Sequence, residues 1–108
     1  IPGQLFIPAL NLSIPIPQGS STLTIGRADP ASDIFPDIDL DPYGGYEAGI
    51  GRQHAQLSLQ ENQIYLEDLD SINGTSVNKV RLTPRTPHPI QHGDTLRFGK
   101  LILTYMKE

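Results

Sequence analysis

The chain contains no cysteine. That excludes a disulfide framework, a thiolate zinc site and a cysteine nucleophile, and it favours an intracellular, cytoplasmic setting. Cations are scarce as well: eight Lys and Arg against twelve Asp and Glu give a formal net charge of −4. The basic residues are scattered along the sequence. Broad, salt-sensitive binding to nucleic acid or to an anionic membrane needs clustered cations, so neither partner is expected. No apolar run approaches the roughly 18 residues of a membrane-spanning helix, and no charged n-region with an apolar h-region marks a signal peptide. Internal repeats, low-complexity tracts and helices of useful length are missing too. The first residue is Ile, not Met, which points to a domain excised from a longer chain with other domains. At 108 residues, positions 1–108 read as one domain with room for one core.

What is present is β-type patterning. Ten prolines and ten glycines punctuate short apolar runs rich in β-branched residues, the pattern of a sandwich or barrel. Strands are expected at 4–7, 12–16, 23–25, 38–40, 55–59, 63–68, 76–77, 80–82, 95–98 and 101–106. Gln60-Glu61-Asn62 reads as a hairpin connection, as does Phe98-Gly99-Lys100, whose glycine accepts positive φ. His88 lies between Pro87 and Pro89, an extended loop, and His92 precedes Gly93-Asp94 in a turn.

The stretch 28–51 breaks this rhythm with Asp29, Asp33, Asp37, Asp39 and Asp41. The spacing Asp37-x-Asp39-x-Asp41 is similar to the start of a calcium loop, yet Pro42 stands where glycine is needed and Ala48 where a bidentate Glu is needed. The better reading is a short strand in which Ile38 and Leu40 pack inward and the carboxylates face water. Ser, His and Asp are all present, but no nucleophile elbow accompanies them, and His54, His88 and His92 lack paired metal-ligand spacing. No catalytic residue, cofactor or metal site is indicated.

A different constellation stands out: Gly26-Arg27, then Gly51-Arg52-Gln53-His54, then Ser71-Ile72-Asn73-Gly74. Each part is ordinary alone, since Asn-Gly is a turn dipeptide in any protein and an arginine after a strand usually just faces solvent. In this order on a β-rich chain, the three resemble the forkhead-associated (FHA) domain, a phosphothreonine-reading module with Gly-Arg, Ser-Arg-x-His and Ser-Thr-Asn-Gly signatures. The resemblance runs from about Gln4 to Met106 and includes Gly93-Asp94 before a late strand. The segment from Phe35 to Gly45 looks like FHA domains of bacterial, cyanobacterial-type multidomain proteins.

The resemblance implies an all-β antiparallel sandwich of about eleven strands, SMAD/FHA-like, with no enzymatic activity. The implied partner is a phosphothreonine-containing protein or peptide in Ser/Thr-kinase signalling or assembly. Arg27 would supply the guanidinium that a phosphate of about −1.5 to −2 charge requires. Asn73 would reach the peptide backbone with its carboxamide. Gly51, Arg52, Ser71 and Ile72 complete the implied peptide site, and His54, Gly26 and Gly74 would brace its loops. Arg52 is read as a rim residue that either contacts peptide or braces the acidic loop.

Two family hydroxyls are absent, with Gly51 in place of serine and Ile72 in place of threonine. Each lost donor to a charged group is worth ~1.5–3 kcal/mol unless a backbone N–H at Gly51 or Ile72, a water, Ser71 or Thr75 substitutes. This leaves an alternative, an FHA-fold module that binds its partner without phosphate through Ile72 and the tyrosine-bearing loop. A further alternative is a carbohydrate-binding or structural sandwich using Tyr43, Tyr46 and Tyr65.

Overall fold

Alternating apolar positions decide which way each strand faces. The computed structural model describes residues 1–107. Its strands are, in chain order, β1 (Gln4–Ile7), β2 (Leu12–Pro15), β3 (Thr22–Gly26), β4 (Ile38–Asp39), β5 (Ala55–Gln60), β6 (Gln63–Asp68), β7 (Thr75–Val77), β8 (Val80–Arg81), β9 (His88–Ile90), β10 (Thr95–Phe98) and β11 (Leu101–Met106). They form a six-stranded sheet in the order β2-β1-β11-β10-β7-β8 and a five-stranded sheet in the order β4-β3-β5-β6-β9.

One core joins the sheets. Leu5, Ile7, Val77, Leu96, Phe98, Leu103 and Tyr105 come from the first sheet, and Leu23, Ile25, Leu57, Ile64, Leu66 and Ile90 from the second. In β6 and β10 every second residue is buried, and β5 and β11 keep the same alternation with Leu59 and Leu101 partly buried, as a period of two requires. Each of these large side chains contributes roughly 1.5–3 kcal/mol on burial.

Two features depart from the sequence reading in detail. The first is β9, since Pro87 and Pro89 had marked His88 as loop. It pairs with β6, Leu66 opposite His88 and Ile64 opposite Ile90. A proline without an N–H is tolerated there because β9 is the edge of its sheet. The second is β4, which runs parallel to β3, with Ile25 opposite Ile38 and Gly26 opposite Asp39, in an otherwise antiparallel sandwich. Residues 27–37 form the crossover that a parallel pair requires.

Asp37 of that crossover and Asp39 of β4 have partners within the fold. Asp37 Oδ2 accepts the Thr24 N–H at 2.9 Å and the Thr24 hydroxyl at 3.2 Å. Asp39 Oδ1 accepts the N–H groups of Ala28 at 2.9 Å and Asp41 at 3.0 Å. Ile38 and Leu40 are buried between them. The carboxylates thus pin the crossover to β3.

Candidate functional site

The end of β3 passes under the loop that precedes β5. A Cβ on Gly26 would overlap the carbonyl oxygen of Arg52, so only glycine allows this approach. The Arg27 N–H donates to that same carbonyl at 3.3 Å. Its side chain then rises along the loop: Nε donates to the Ile50 carbonyl at 3.2 Å, and the guanidinium carbon lies 5.0 Å from the Tyr46 ring centroid. That is cation–π distance. Among the described residues, ion pairs join Arg52 to Asp29 and Arg85 to Asp70, and none involves Arg27. Its charge is held in position without being neutralised.

His54 closes the sandwich beneath this loop and is 0% exposed. The Gly51 N–H donates to Nδ1 at 3.0 Å, and Nε2 lies 2.9 Å from the Gly74 carbonyl oxygen. An N–H aimed at Nδ1 makes that nitrogen the acceptor, so the network assigns the neutral tautomer with its proton on Nε2, donating to Gly74. The ring also meets Phe98 edge to face, with centroids 5.7 Å apart. Burial pushes the His54 pKa below its ordinary value of 6.5, while the Gly74 hydrogen bond and the charge of Asp68 pull the other way.

The third loop is wound around Asp68, which is 2% exposed at the end of β6. Its carboxylate accepts the Ser71 N–H at 3.1 Å, the Ser71 hydroxyl at 2.5 Å and the Thr75 hydroxyl at 2.7 Å. Ser71 Oγ in turn accepts the Gly74 N–H at 2.9 Å. Gly74 takes φ +87°, a left-handed conformation that favours glycine. This winding leaves Ile72 94% exposed. Asn73, next along, donates from Nδ2 to the Gly49 carbonyl at 2.9 Å.

Arg27 and Asn73 are therefore fastened to the adjacent carbonyls of Ile50 and Gly49, at the same end of the sandwich, with His54 tying the two loops together below. All nine residues singled out in the sequence, Gly26, Arg27, Gly51, Arg52, His54, Ser71, Ile72, Asn73 and Gly74, gather here. Their roles divide. Arg52 reaches back to Asp29 and Ser32, each at 3.2 Å, and so braces the acidic loop. The hydrogen bond to Ser32 first, and then the Arg52 contacts, hold the Asp29 carboxyl below its ordinary range.

The hydroxyls of Ser71 and Thr75 are committed to Asp68, and the Gly51 N–H to His54. In this arrangement none of the three is free to replace a missing phosphate donor. The N–H of Ile72 has no acceptor among the described residues. Sequence reasoning missed Asp68 and the pairing of Tyr46 with Arg27. An Asp three residues before a Ser and just ahead of Asn-Gly is a recognisable side-chain-to-backbone turn signal. The Gly49 and Ile50 carbonyls are backbone groups and leave no such trace.

Comparison with known proteins bears on the family and the fold. The sequence model of the FHA domain matches residues 23–99. The chain is 34% identical over 87 residues to Protein FraH of Nostoc sp., covering 81% of this chain and 29% of FraH. Over 85 residues it is 34% identical to the oxoglutarate dehydrogenase inhibitor of Corynebacterium efficiens, covering 79% of this chain and 51% of that protein. It thus spans about half or less of the length of these relatives. The N-terminal FHA domain of S. cerevisiae Rad53p, solved in complex with a phosphothreonine peptide, is similar with a TM-score of 0.76 at 20% identity, covering 100% of this chain and 94% of that one.

Proposed function

The chain belongs to the FHA domain family of non-catalytic interaction modules, and we propose that it binds a phosphothreonine-containing protein or peptide at the Arg27 end. In this reading it recruits a Ser/Thr-kinase substrate, in the cytoplasm, to whatever longer protein carries it. One observation carries the proposal: Arg27, which joins no ion pair among the described residues, is oriented at the centre of the three loops by the Ile50 carbonyl and the Tyr46 ring. A phosphate offers such a cation charge-assisted hydrogen bonds. Asn73, fastened through Nδ2, keeps its carboxamide oxygen for an extended peptide.

The absent hydroxyls limit the affinity. With the Gly51 N–H committed to His54, the Ile72 N–H and solvent are the remaining replacements. Up to ~3–6 kcal/mol of phosphate binding is lost relative to a site with both hydroxyls, at ~1.5–3 kcal/mol each. Gly51→Ser has room, since a Cβ there meets nothing closer than His54 Nδ1 at 3.8 Å. Titration with matched phosphorylated and unphosphorylated threonine peptides tests the reading. The phosphorylated form should bind selectively, Arg27→Ala should abolish that selectivity, and Gly51→Ser with Ile72→Thr should tighten binding.

A second reading draws on Ile72, 94% exposed, and Tyr46, 69% exposed, beside the same loops. It holds that the module grips its partner through apolar contact without phosphate. Wild type blind to phosphorylation, with phosphate binding gained only in the double variant, would select it. The carbohydrate alternative has little support, because Tyr43 packs against the core and Tyr46 lies against Arg27.

A further inference from the structure

Two more arginines turn towards this end from the outer face of the first sheet. Arg81 on β8 and Arg97 on β10 both stand opposite Ser76 of β7. Directly paired residues point to the same side, and Val77, Leu96 and Phe98 take the inner side. Two strand spacings of about 4.8 Å separate the arginine Cα atoms by about 10 Å. The Arg81 guanidinium lies against Gly74, its Cζ 2.7 Å from where a Cβ would be. Arg97 Nε donates to the Gly99 carbonyl at 2.9 Å. Gly99 and Gly74 are themselves bonded, N–H to carbonyl, at 3.1 Å. Both guanidiniums thus sit on one glycine pair. Beside it, Arg97, Lys100 and Asn73 border a groove of about 360 Å³.

This chain carries a net charge of −4, yet among the described residues these cations join no ion pair. Among the described residues the two ion pairs engage Arg52 and Arg85, while Arg81, Arg97 and Lys100 join none. Asp29, Asp37, Asp39, Asp68, Asp70 and Asp94 are hydrogen-bonded elsewhere. Among the described residues Glu47 is the one carboxylate on the groove, facing both Arg97 and Lys100. Like charges that outnumber their counter-charge repel, and an arriving anion relieves that repulsion.

We infer that Arg81, Arg97 and Lys100 form a second anion-binding surface, beside Asn73, which takes an acidic segment of the same peptide whose phosphothreonine is held at Arg27. The inference rests on the phosphothreonine reading above and deepens it, making the preferred ligand an acidic phosphopeptide.

Isothermal titration with paired phosphothreonine peptides tests it, one set carrying runs of Asp and Glu before or after the phosphothreonine and the other Asn and Gln in their place. One acidic form should bind about tenfold tighter than its neutral counterpart. Arg81→Gln with Arg97→Gln should cancel that gain and leave the neutral peptide's Kd unchanged, whereas Arg27→Ala should weaken both. Lys100→Gln, in an exposed turn, should remove part of the gain without touching the sheet. Equal affinity for acidic and neutral peptides, or a gain that survives these substitutions, overturns the inference.

If no phosphothreonine peptide binds, the Arg27 reading fails by itself and the unphosphorylated acidic peptide decides. Binding to wild type but not to the double variant supports the surface, and no binding overturns it. An oligothymidylate of equal charge that binds as tightly as the acidic peptide also overturns it, because the surface would then be a general polyanion contact.

Discussion

His54 shows how much a single side chain can settle at this site. A buried imidazole that accepts from Gly51 and donates to Gly74 holds the loop before β5 to the loop that joins β6 to β7, and only the neutral form can do both. Its pKa is held below the ordinary 6.5 because burial disfavours the charge. The unfolded chain therefore binds this proton more readily than the folded one. The stabilisation should be complete above an unfolded pKa of about 6.5 and decline as the pH falls from there towards the lower folded value. Urea unfolding at stepped pH between 7.5 and 5 should show this decline in wild type and a flatter profile in His54→Gln. Identical profiles would mean that the imidazole is not the titrating brace. Arg27 contrasts with it at the same scale: exchanging it should alter binding far more than stability, because its side chain adds to the fold a hydrogen bond to the Ile50 carbonyl and a contact with the Tyr46 ring, while its charge is left unpaired.

At the scale of elements, the strands were legible because burial imposes a period of two, and the hairpins because Asn and Gly mark turns. Edge strand β9 was not, since proline argues against a strand and nothing local reveals that its sheet ends there. Nor does the sequence of β4 disclose a parallel partner, because direction depends on a crossover fixed by Asp37 and Asp39. The clustering of Arg27, His54 and Asn73 could be read from motif order. The fate of the Ser71 hydroxyl could not, because it depends on the buried carboxylate of Asp68.

Gly26 tests this layer. A Cβ there collides with the Arg52 carbonyl, which β3 cannot avoid without releasing the Arg27 N–H bond. Gly26→Ala should cost roughly 1–3 kcal/mol by overpacking and impair peptide binding, measured by denaturant unfolding and titration. Gly51→Ala, with open space for its Cβ, should be mild on both counts. Equal costs at the two positions would refute the close approach as the reason for glycine.

Across the whole molecule, stability and recognition draw on different forces. One apolar core spans both sheets, whereas the ion pairs among the described residues, Arg52 with Asp29 and Arg85 with Asp70, lie at solvent-exposed side chains. Exposed pairs are worth about 0–1 kcal/mol and are screened by salt. Of the cations that join no ion pair among the described residues, Arg27, Arg81, Arg97 and Lys100 gather around the loop end, whereas Lys79 and Lys107 do not. In the proposed reading, therefore, these four serve contact with a partner more than cohesion. Raising NaCl from about 50 to 500 mM shortens the screening length from over 10 Å to under 5 Å. Thermal unfolding should then shift by no more than a few degrees, consistent with a loss of about 1 kcal/mol or less in a domain of this size. Affinity for an acidic phosphothreonine peptide should fall steeply over the same range, and that for its neutral counterpart less so. A melting temperature that drops in parallel with affinity would place these charges in the stability of the fold and detach them from recognition.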